Sequence, residues 1–172
     1  MLIRRETPAD RPAVHAVHRE AFRREPGVIP VEAPLVDELR ADGAVIGALS
    51  LVAVHDGEVV GHVCCSRARV GDDRTAAVGL GPLGVLPSHQ ARGVGSALMH
   101  TVLGAADALG LGLVVLLGSP AYYGRFGFVR ASTLGVTPPD PKWEEHFQAR
   151  TLTGHQSAHA GAFEYAPAFS RI

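Results

Sequence analysis

The stretch Leu80–Met99, LGPLGVLPSHQARGVGSALM, joins an apolar run to a glycine-bearing helix start through an abrupt Pro-Ser break. TAAVGLGPLGVL predicts a central strand, and apolar residues at helical spacing predict a helix over Gly93–Leu109. Glycines at 93 and 95 leave the turn between this strand and this helix without side chains at those two positions. The first amides of a helix have no partners inside it. The turn therefore predicts an anion site, strengthened by the helix dipole and by Arg92. A tight strand-to-helix connection that needs glycine only for packing is the alternative.

Pro82 lies within the predicted central strand. Because proline has no N–H to donate to a ladder, we expect strand pairing to be interrupted near it. The amide and carbonyl groups of Leu83–Val85 would then be free to pair with an extended ligand. A ligand with an amide-bearing arm and a pyrophosphate, such as coenzyme A, fits both features. The G-x-G-x-x-G match at Gly79–Gly84 does not indicate a dinucleotide site, because it lies inside the strand instead of opening a helix.

Composition narrows the class of protein. The chain has 172 residues, 47% of them hydrophobic, and a net charge of −1, so we expect a single domain over 1–172. Near-zero charge gives no general attraction to nucleic acid or to anionic membranes, and neither is expected as a partner. Apolar runs are too short to span a bilayer and MLIRRETPADR lacks the apolar core of a signal peptide, so a cytoplasmic protein is expected.

The order of predicted elements is β-α-α-β-β-β-α-β-α-β. This order predicts an α+β fold with a mixed, mostly antiparallel central sheet and helices on both faces. Thr7-Pro8 predicts the start of a first helix that runs to about Arg24, and LVDELRA predicts a second one. His55-Asp56-Gly57 between two apolar runs predicts a tight hairpin. A short helix around Ala121–Arg125 and a strand from Phe128 follow.

The stretch at 80–99 resembles the acetyl-CoA motif of the GNAT superfamily of N-acetyltransferases, whose signature is [RQ]-x-x-G-x-[GA]. AYYGRFGF, Ala121–Phe128, is similar to the later Tyr-x-x-hydrophobic-Gly-Phe element of that superfamily. The two elements occur in the family's order and separation, and the chain looks most like small bacterial members with largely unassigned substrates. The resemblance implies a sheet splayed between its fourth and fifth strands. It also implies a cofactor-binding core over about 1–130 and an acceptor side over about 131–172.

The resemblance further implies acetyl-CoA as co-substrate and a small-molecule or peptide amine as acceptor. The backbone of Leu83, Gly84 and Val85 would hold the pantetheine arm. The pyrophosphate would be bound by the turn, whose members are Gln90, Ala91, Arg92, Gly93, Val94, Gly95 and Ser96. The amine would attack the thioester directly, with an amide near Val85 holding the oxyanion. Tyr123 aligns with the tyrosine that protonates the leaving thiolate, although an aromatic core position is the alternative.

The general base is left open by the sequence. TAAVGLG lacks the glutamate that some relatives use there, so His62 and Glu32 are candidates, with Glu38 and a water chain as further options. A hydrogen-bonded core position is the alternative for His62, and a solvated helix face is the alternative for Glu38. The chain also contains no asparagine, a residue that many family members place before the tyrosine. A non-catalytic acyl-CoA sensor is therefore the competing hypothesis.

The cysteines and the other histidines favour structural roles. Cys64 and Cys65 are neighbours on a predicted strand, where they point to opposite faces and serve as small apolar residues, not as nucleophiles. The pairs His15/His18 and His155/His159 could each share a helix face. Because no His-Glu-x-x-His pattern or paired cysteine set accompanies them, no metal is expected. Trp143 is either one wall of the acceptor pocket or a cap on the core, and a monomer or homodimer is expected.

Overall fold

A computed structural model describes residues 1–171 of the chain, which form two compact units. The first unit comprises residues 1–65, residues 81–102 and the segment from Pro167 onward. The second comprises residues 66–80 and 103–166. The single domain over 1–172 that the length of the chain predicts stays a prediction.

The elements are those of a mixed α+β protein with a mostly antiparallel sheet, as predicted. The strands are β1 (Leu2–Arg5), β2 (Val45–His55), β3 (Glu58–Arg67), β4 (Arg69–Val70), β5 (Ala77–Val85), β6 (Leu113–Leu117), β7 (Val129–Arg130), β8 (Val136–Thr137), β9 (Phe147–Thr151) and β10 (Gly161–Glu164). The α-helices are α1 (Arg11–Ala21), α2 (Glu32–Ala41), α3 (Val94–Ala108) and α4 (Pro120–Tyr123). Short 3-10 helices cover Pro8–Asp10, Pro87–His89, Gly124–Phe126, Ala131–Leu134, Pro141–Trp143 and Pro167–Arg171.

In the first unit, β1 pairs antiparallel with β2, and β3 lies on the other side of β2. The β2–β3 connection is the tight hairpin predicted from the sequence. Asp56 and Gly57 have φ angles of +50° and +83°, the left-handed conformation that a two-residue turn demands. Helices α1 and α2 supply apolar side chains to a core that also receives residues from β2 and β3. Members of this core are Val14, Val36, Val52 and Cys64.

In the second unit, β5 begins parallel to β6, with Ala77 opposite Leu113 and Gly79 opposite Val115. The ladder ends there, before Pro82, as expected for a strand that a proline interrupts. Strand β9 pairs antiparallel with both β6 and β7. A separate small sheet places β10 between β4 and β8. Trp143 packs edge-on against Tyr165, with ring centroids 6.5 Å apart, and so caps this unit's core.

Two helix boundaries differ from the prediction by three residues, and those of α3 and α4 differ by one or two. Helix α1 ends at Ala21 and not at about Arg24, and the ring of Phe22, just past its end, stacks on His18. Helix α2 begins at Glu32, three residues before the LVDELRA stretch that predicted it, and its first turn contains Pro34. Proline is tolerated there because its missing N–H falls in the first turn, where a helix has no acceptor for it.

No helix within residues 1–171 has the length and apolar character that crossing a bilayer requires. Over the same residues, the structure contains no group of three or more His, Cys, Asp or Glu side chains placed to hold a metal ion.

Candidate active site

The turn between β5 and α3 is open where a ligand would approach its backbone. Ala91 and Gly93 both adopt left-handed conformations, with φ of +57° and +82°. A Cβ built at Gly93 would meet no atom within 4 Å, so the space beside this glycine is free. The amides at the start of α3 have no partners inside the helix and carry its positive dipole end. The exposed side chain of Arg92 adds a formal charge to this anion-binding geometry.

Close packing fixes the start of α3 over the sheet of the first unit. A Cβ at Gly61 on β3 would lie 3.1 Å from side-chain atoms of both Val94 and Leu98. The same Cβ would lie 3.3 Å from the carbonyl oxygen of Gly84. Glycine at 61 therefore lets the first turn of α3 and the end of β5 come close to β3. The turn is held on two ordered elements instead of on a free loop.

Hydrogen bonds tie the end of β5 to β3 and to Gln90. The amide of Leu86 donates to the carbonyl of Val60 at 2.9 Å. The side-chain Nε2 of Gln90 donates to the carbonyl of Val85 at 3.0 Å. The expectation that all polar backbone groups of Leu83–Val85 are free is therefore wrong for the Val85 carbonyl. Its partner is the side chain of Gln90, which braces the strand.

Four side chains form a hydrogen-bonded series in the first unit, here called the histidine chain: Glu6, Ser50, His62 and His18. Ser50 Oγ donates to Glu6 Oε2, and His62 Nε2 lies 3.0 Å from Ser50 Oγ and 3.4 Å from Glu6 Oε2. His62 Nδ1 lies 2.8 Å from His18 Nε2. Both rings are 0% exposed. His62 is therefore a hydrogen-bonded core residue, which was one of the two alternatives for it. His18 is a second buried histidine beside it.

Glu6 has a charged partner as well as these hydrogen bonds. Arg40 Nη2 lies 2.5 Å from Glu6 Oε1, and both side chains are largely buried. Burial opposes ionisation of Glu6, but hydrogen bonds from His62 and Ser50 and the charge of Arg40 outweigh it and lower the pKa of this carboxyl. Glu6 is therefore a carboxylate at neutral pH.

Both histidines are neutral at the same pH. Burial lowers the pKa of His18 well below its usual value, and the charge of Arg40 acts in the same direction. Burial also lowers the pKa of His62, although the hydrogen bond to Glu6 opposes this. Two uncharged imidazoles thus connect a carboxylate to the interior of the unit.

The histidine chain ends at Gly84, one of the residues predicted to hold the pantetheine arm. A Cβ at position 84 would lie 2.7 Å from His18 Nδ1 and 3.0 Å from its Cε1. Only glycine lets the imidazole lie directly against this strand. Within residues 1–171, His18 Nδ1 is buried and has no hydrogen-bond partner.

Tyr123 lies at the end of α4 in the second unit. Its ring packs edge-on against Tyr122 and Phe128, with centroids 4.8 Å and 6.0 Å away. A Cβ at Gly118 would collide with this ring, so glycine there makes room for it. Burial, with a smaller effect of Tyr122, raises the pKa of Tyr123 to about 12. The phenol therefore keeps its proton over the physiological range and can serve as a donor.

The remaining sequence candidates lie in other surroundings. Glu32 is at the start of α2 beside a surface pocket that Phe22 and Ile29 also line. Glu38 forms a 2.9 Å ion pair with Arg171 on the surface. Glu38 is therefore on a solvated face.

Cys64 and Cys65 are buried free thiols. Burial raises the pKa of Cys64 to about 12 and raises that of Cys65 well above its usual value. Neither is a thiolate nucleophile at neutral pH.

Three members of the histidine chain were not predicted from the sequence as site residues: Glu6, Ser50 and His18. They come from the residue after β1, from β2 and from α1, so no local motif joins them. The backbone amide of Glu6 donates to the carbonyl of Ser50 at 2.8 Å, which places these two side chains together. Only that pairing register, which depends on the fold, could have indicated the cluster.

Comparison with known proteins shows the family to which this fold belongs. The family model described as "Acetyltransferase (GNAT) domain" matches residues 2–131, so the chain belongs to this family. The chain is similar to N-acetyltransferase YhbS of Escherichia coli K12, itself described as uncharacterized, with 35% identity over 174 residues and full coverage of both proteins. It is also 36% identical over 137 residues to the uncharacterized N-acetyltransferase YjhQ of the same strain, covering 72% of this chain and 76% of YjhQ.

Solved structures are similar over nearly the whole chain. The crystal structure of YhbS from Escherichia coli in complex with CoA matches with a TM-score of 0.90 and 34% identity, over 99% of this chain and 92% of that one. A GNAT family acetyltransferase from Brucella melitensis in complex with acetyl-CoA matches with a TM-score of 0.80 and 34% identity, over 98% and 97%.

Proposed function

We propose that this protein transfers an acetyl group from acetyl-CoA to the primary amine of a small molecule or peptide. The observation that carries the proposal is the open, left-handed turn at Ala91–Gly93 in front of α3. A diphosphate fits such a turn, because several main-chain amides and a helix dipole converge there without an intervening side chain. The similar proteins from Escherichia coli and Brucella melitensis, solved with CoA and acetyl-CoA, support the same donor.

We assign the following roles to the residues of this chain. Amides of Gln90–Ser96 bind the pyrophosphate, and the backbone of Leu83–Val85 holds the pantetheine arm. An amide near Val85 stabilises the oxyanion that forms when the amine attacks. Tyr123 protonates the departing thiolate and regains its proton from solvent. No covalent enzyme intermediate is needed, which agrees with the protonated, buried thiols of Cys64 and Cys65.

The experiment combines calorimetric titration with acetyl-CoA and a thiol-release assay. The acceptors are spermidine, tyramine, kanamycin and a lysine peptide with a free N-terminus. We expect saturable acetyl-CoA binding and amine-dependent thiol release. Tyr123→Phe should lower kcat by about 100-fold or more, the usual contribution of a general acid, while leaving acetyl-CoA affinity nearly unchanged.

Tyr122→Phe is the matched control for the tyrosine variant. It removes the neighbouring hydroxyl from a ring that stacks under Arg125, 4.2 Å from the guanidinium carbon, and should leave kcat unchanged. Binding of acetyl-CoA without thiol release from any of the four acceptors would instead establish a non-catalytic acyl-CoA sensor. Absence of binding would remove the basis for both functions.

A further inference from the structure

The hydrogen-bond directions in the histidine chain follow from its partners. A carboxylate only accepts, and Ser50 Oγ donates its single proton to Glu6. Ser50 Oγ must therefore accept from His62 Nε2, 3.0 Å away, so that nitrogen carries the proton of the neutral ring. His62 Nδ1 then has a lone pair and accepts from His18 Nε2. This leaves His18 Nδ1 unprotonated, with its lone pair unused.

The unused lone pair lies against the strand predicted to hold the thioester arm. Within the described residues it has no donor, and the position of a Cβ at residue 84 would be 2.7 Å away. A buried acceptor without a donor destabilises the folded state relative to a satisfied one. Such a group is uncommon in folded proteins and calls for a functional explanation. A basic nitrogen beside the strand predicted to hold the thioester arm supplies one.

The other end of the histidine chain reaches the surface. Glu6 and Ser50 line a pocket together with Arg5, Thr7, Arg40 and Gly47. Arg40 holds Glu6 as a carboxylate at this end, 2.5 Å from the nearer oxygen. The histidine chain therefore links the unpaired His18 Nδ1 beside β5 to the Glu6 carboxylate beside solvent.

Resting on the proposed acetyl transfer, we propose that His18 Nδ1 accepts the proton that the acceptor nitrogen loses, and that His62, Ser50 and Glu6 are its positioning residues. The neutral amine forms its N–C bond to the acetyl carbon and becomes positively charged. His18 Nδ1 takes one proton from that nitrogen, the C–S bond breaks, and its electron pair leaves with sulfur. Tyr123 donates the proton that sulfur takes up. The products are an amide and a thiol, and the His18 proton passes to solvent when the product leaves.

Charges around the two rings suit this role. The imidazolium formed on His18 is stabilised through the hydrogen bond to His62, whose other nitrogen faces the Glu6 carboxylate. Arg40 and His15 are the other titratable groups that act on His18, and both disfavour its protonation. The ring is therefore unprotonated before the amine docks, as a base must be. Glu6 is the only anion in this set, so removing it should weaken the base.

The decisive variant is His18→Gln. The amide Nε2 of glutamine can still donate to His62 Nδ1, but glutamine has no basic nitrogen. Using acetyl-CoA and the best acceptor of the four-amine panel, we expect kcat to fall about 100-fold or more, with acetyl-CoA affinity and Tm nearly unchanged. The rising limb of the kcat–pH profile that reports the imidazole should disappear. His15→Gln is the control, because His15 lies on the same helix at the surface and pairs with Asp37.

A second variant and a spectroscopic measurement keep the test decisive if His18→Gln does not fold. Glu6→Gln removes the negative charge that favours the imidazolium, so the rising limb should shift to lower pH and the maximal kcat should fall. In the wild type, long-range ¹H–¹⁵N spectra should show His18 and His62 both protonated on Nε2. His18 protonated on Nδ1 would overturn the assignment whether or not turnover is detected.

The outcomes separate this inference from the proposed function. Wild-type turnover with an unchanged kcat and pH profile in His18→Gln refutes the role of His18 and leaves the acetyltransferase intact. If wild-type protein binds acetyl-CoA but acetylates none of the four amines, the proposed function fails and the role of His18 fails with it. If His18→Gln lowers Tm and acetyl-CoA affinity as well as kcat, the role of His18 is structural and the inference is overturned.

Discussion

The turn at Gln90–Ser96 and the histidine chain belong to the same unit but are built in opposite ways. The turn exposes backbone amides, and most of its side chains either face solvent or are absent. The histidine chain buries side chains from four separate segments, and its order depends on each hydrogen bond in the series. We propose that the turn binds an anion because side chains are missing there, and that the histidine chain moves a proton because particular side chains meet. A substitution should therefore damage the turn by adding atoms and the histidine chain by removing or displacing them.

The largest effect is expected from Gly93→Glu. A side chain there would enter the open space of the turn, add a charge that repels a diphosphate and strain a φ of +82°. Acetyl-CoA affinity should fall at least about 100-fold, which corresponds to about 2.7 kcal/mol of binding free energy. Calorimetric titration measures this change.

Gly43→Glu is the matched control for that substitution. Gly43 also has a positive φ, +66°, and has no atoms within 4 Å of a built Cβ, but it follows α2 and lies outside the turn. Backbone strain of about 1–3 kcal/mol should be common to both variants, so only the cofactor affinity should separate them. Equal affinity losses in the two variants would show that the turn does not bind acetyl-CoA.

The same contrast explains what the sequence could predict. The turn has a local pattern, since glycines, an arginine and a helix start fall within Gln90–Ser96, and the hairpin at Asp56-Gly57 is local in the same sense. Glu6, Ser50, His62 and His18 are far apart in the chain, and their meeting depends on strand register and on helix packing. His62 was a candidate because of its residue type and its place on the strand after the hairpin, and its partner at 18 could not be chosen among the other eight histidines. The boundary at Gly79, where the β5–β6 ladder ends, was predictable only because proline removes a donor.

An intermediate effect is expected from Gly84→Ala, which joins the two regions. The new methyl group would lie 2.7 Å from His18 Nδ1 and 3.4 Å from the Ala21 Cβ, so the imidazole or the strand must move. Overpacking of this kind costs about 1–3 kcal/mol, and the free energy of unfolding should fall by that amount in urea titrations. Gly47→Ala is the control, because the nearest atom to its Cβ, Arg5 Nη2, is 3.7 Å away.

The double variant Gly84→Ala/His18→Gln tests whether the imidazole is the obstacle. A glutamine side chain can move away from the methyl group more easily than a rigid ring, so the two losses should be less than additive. Full additivity would mean that the strand and not His18 absorbs the added methyl group.

The last effect concerns the pH dependence of stability. Burial lowers the pKa of both His18 and His62 in the folded state, so below about pH 6.5, the value for an unfolded histidine, the unfolded chain binds more protons. Stability should therefore fall as the pH drops below about 6.5, by up to about 1.4 kcal/mol per pH unit for each histidine. Glu6 acts in a separate, more acidic window, because its pKa is lowered and its contribution is lost only when it protonates.

Urea titrations between about pH 5 and 8 isolate the histidines, and His18→Gln should reduce the slope there by about half. The turn at Gln90–Ser96 contains no group that titrates in this range, so Gly93→Glu should leave the slope unchanged. An equal slope in wild type and His18→Gln would mean that His18 does not become protonated on unfolding in this range, contrary to the buried neutral state described here.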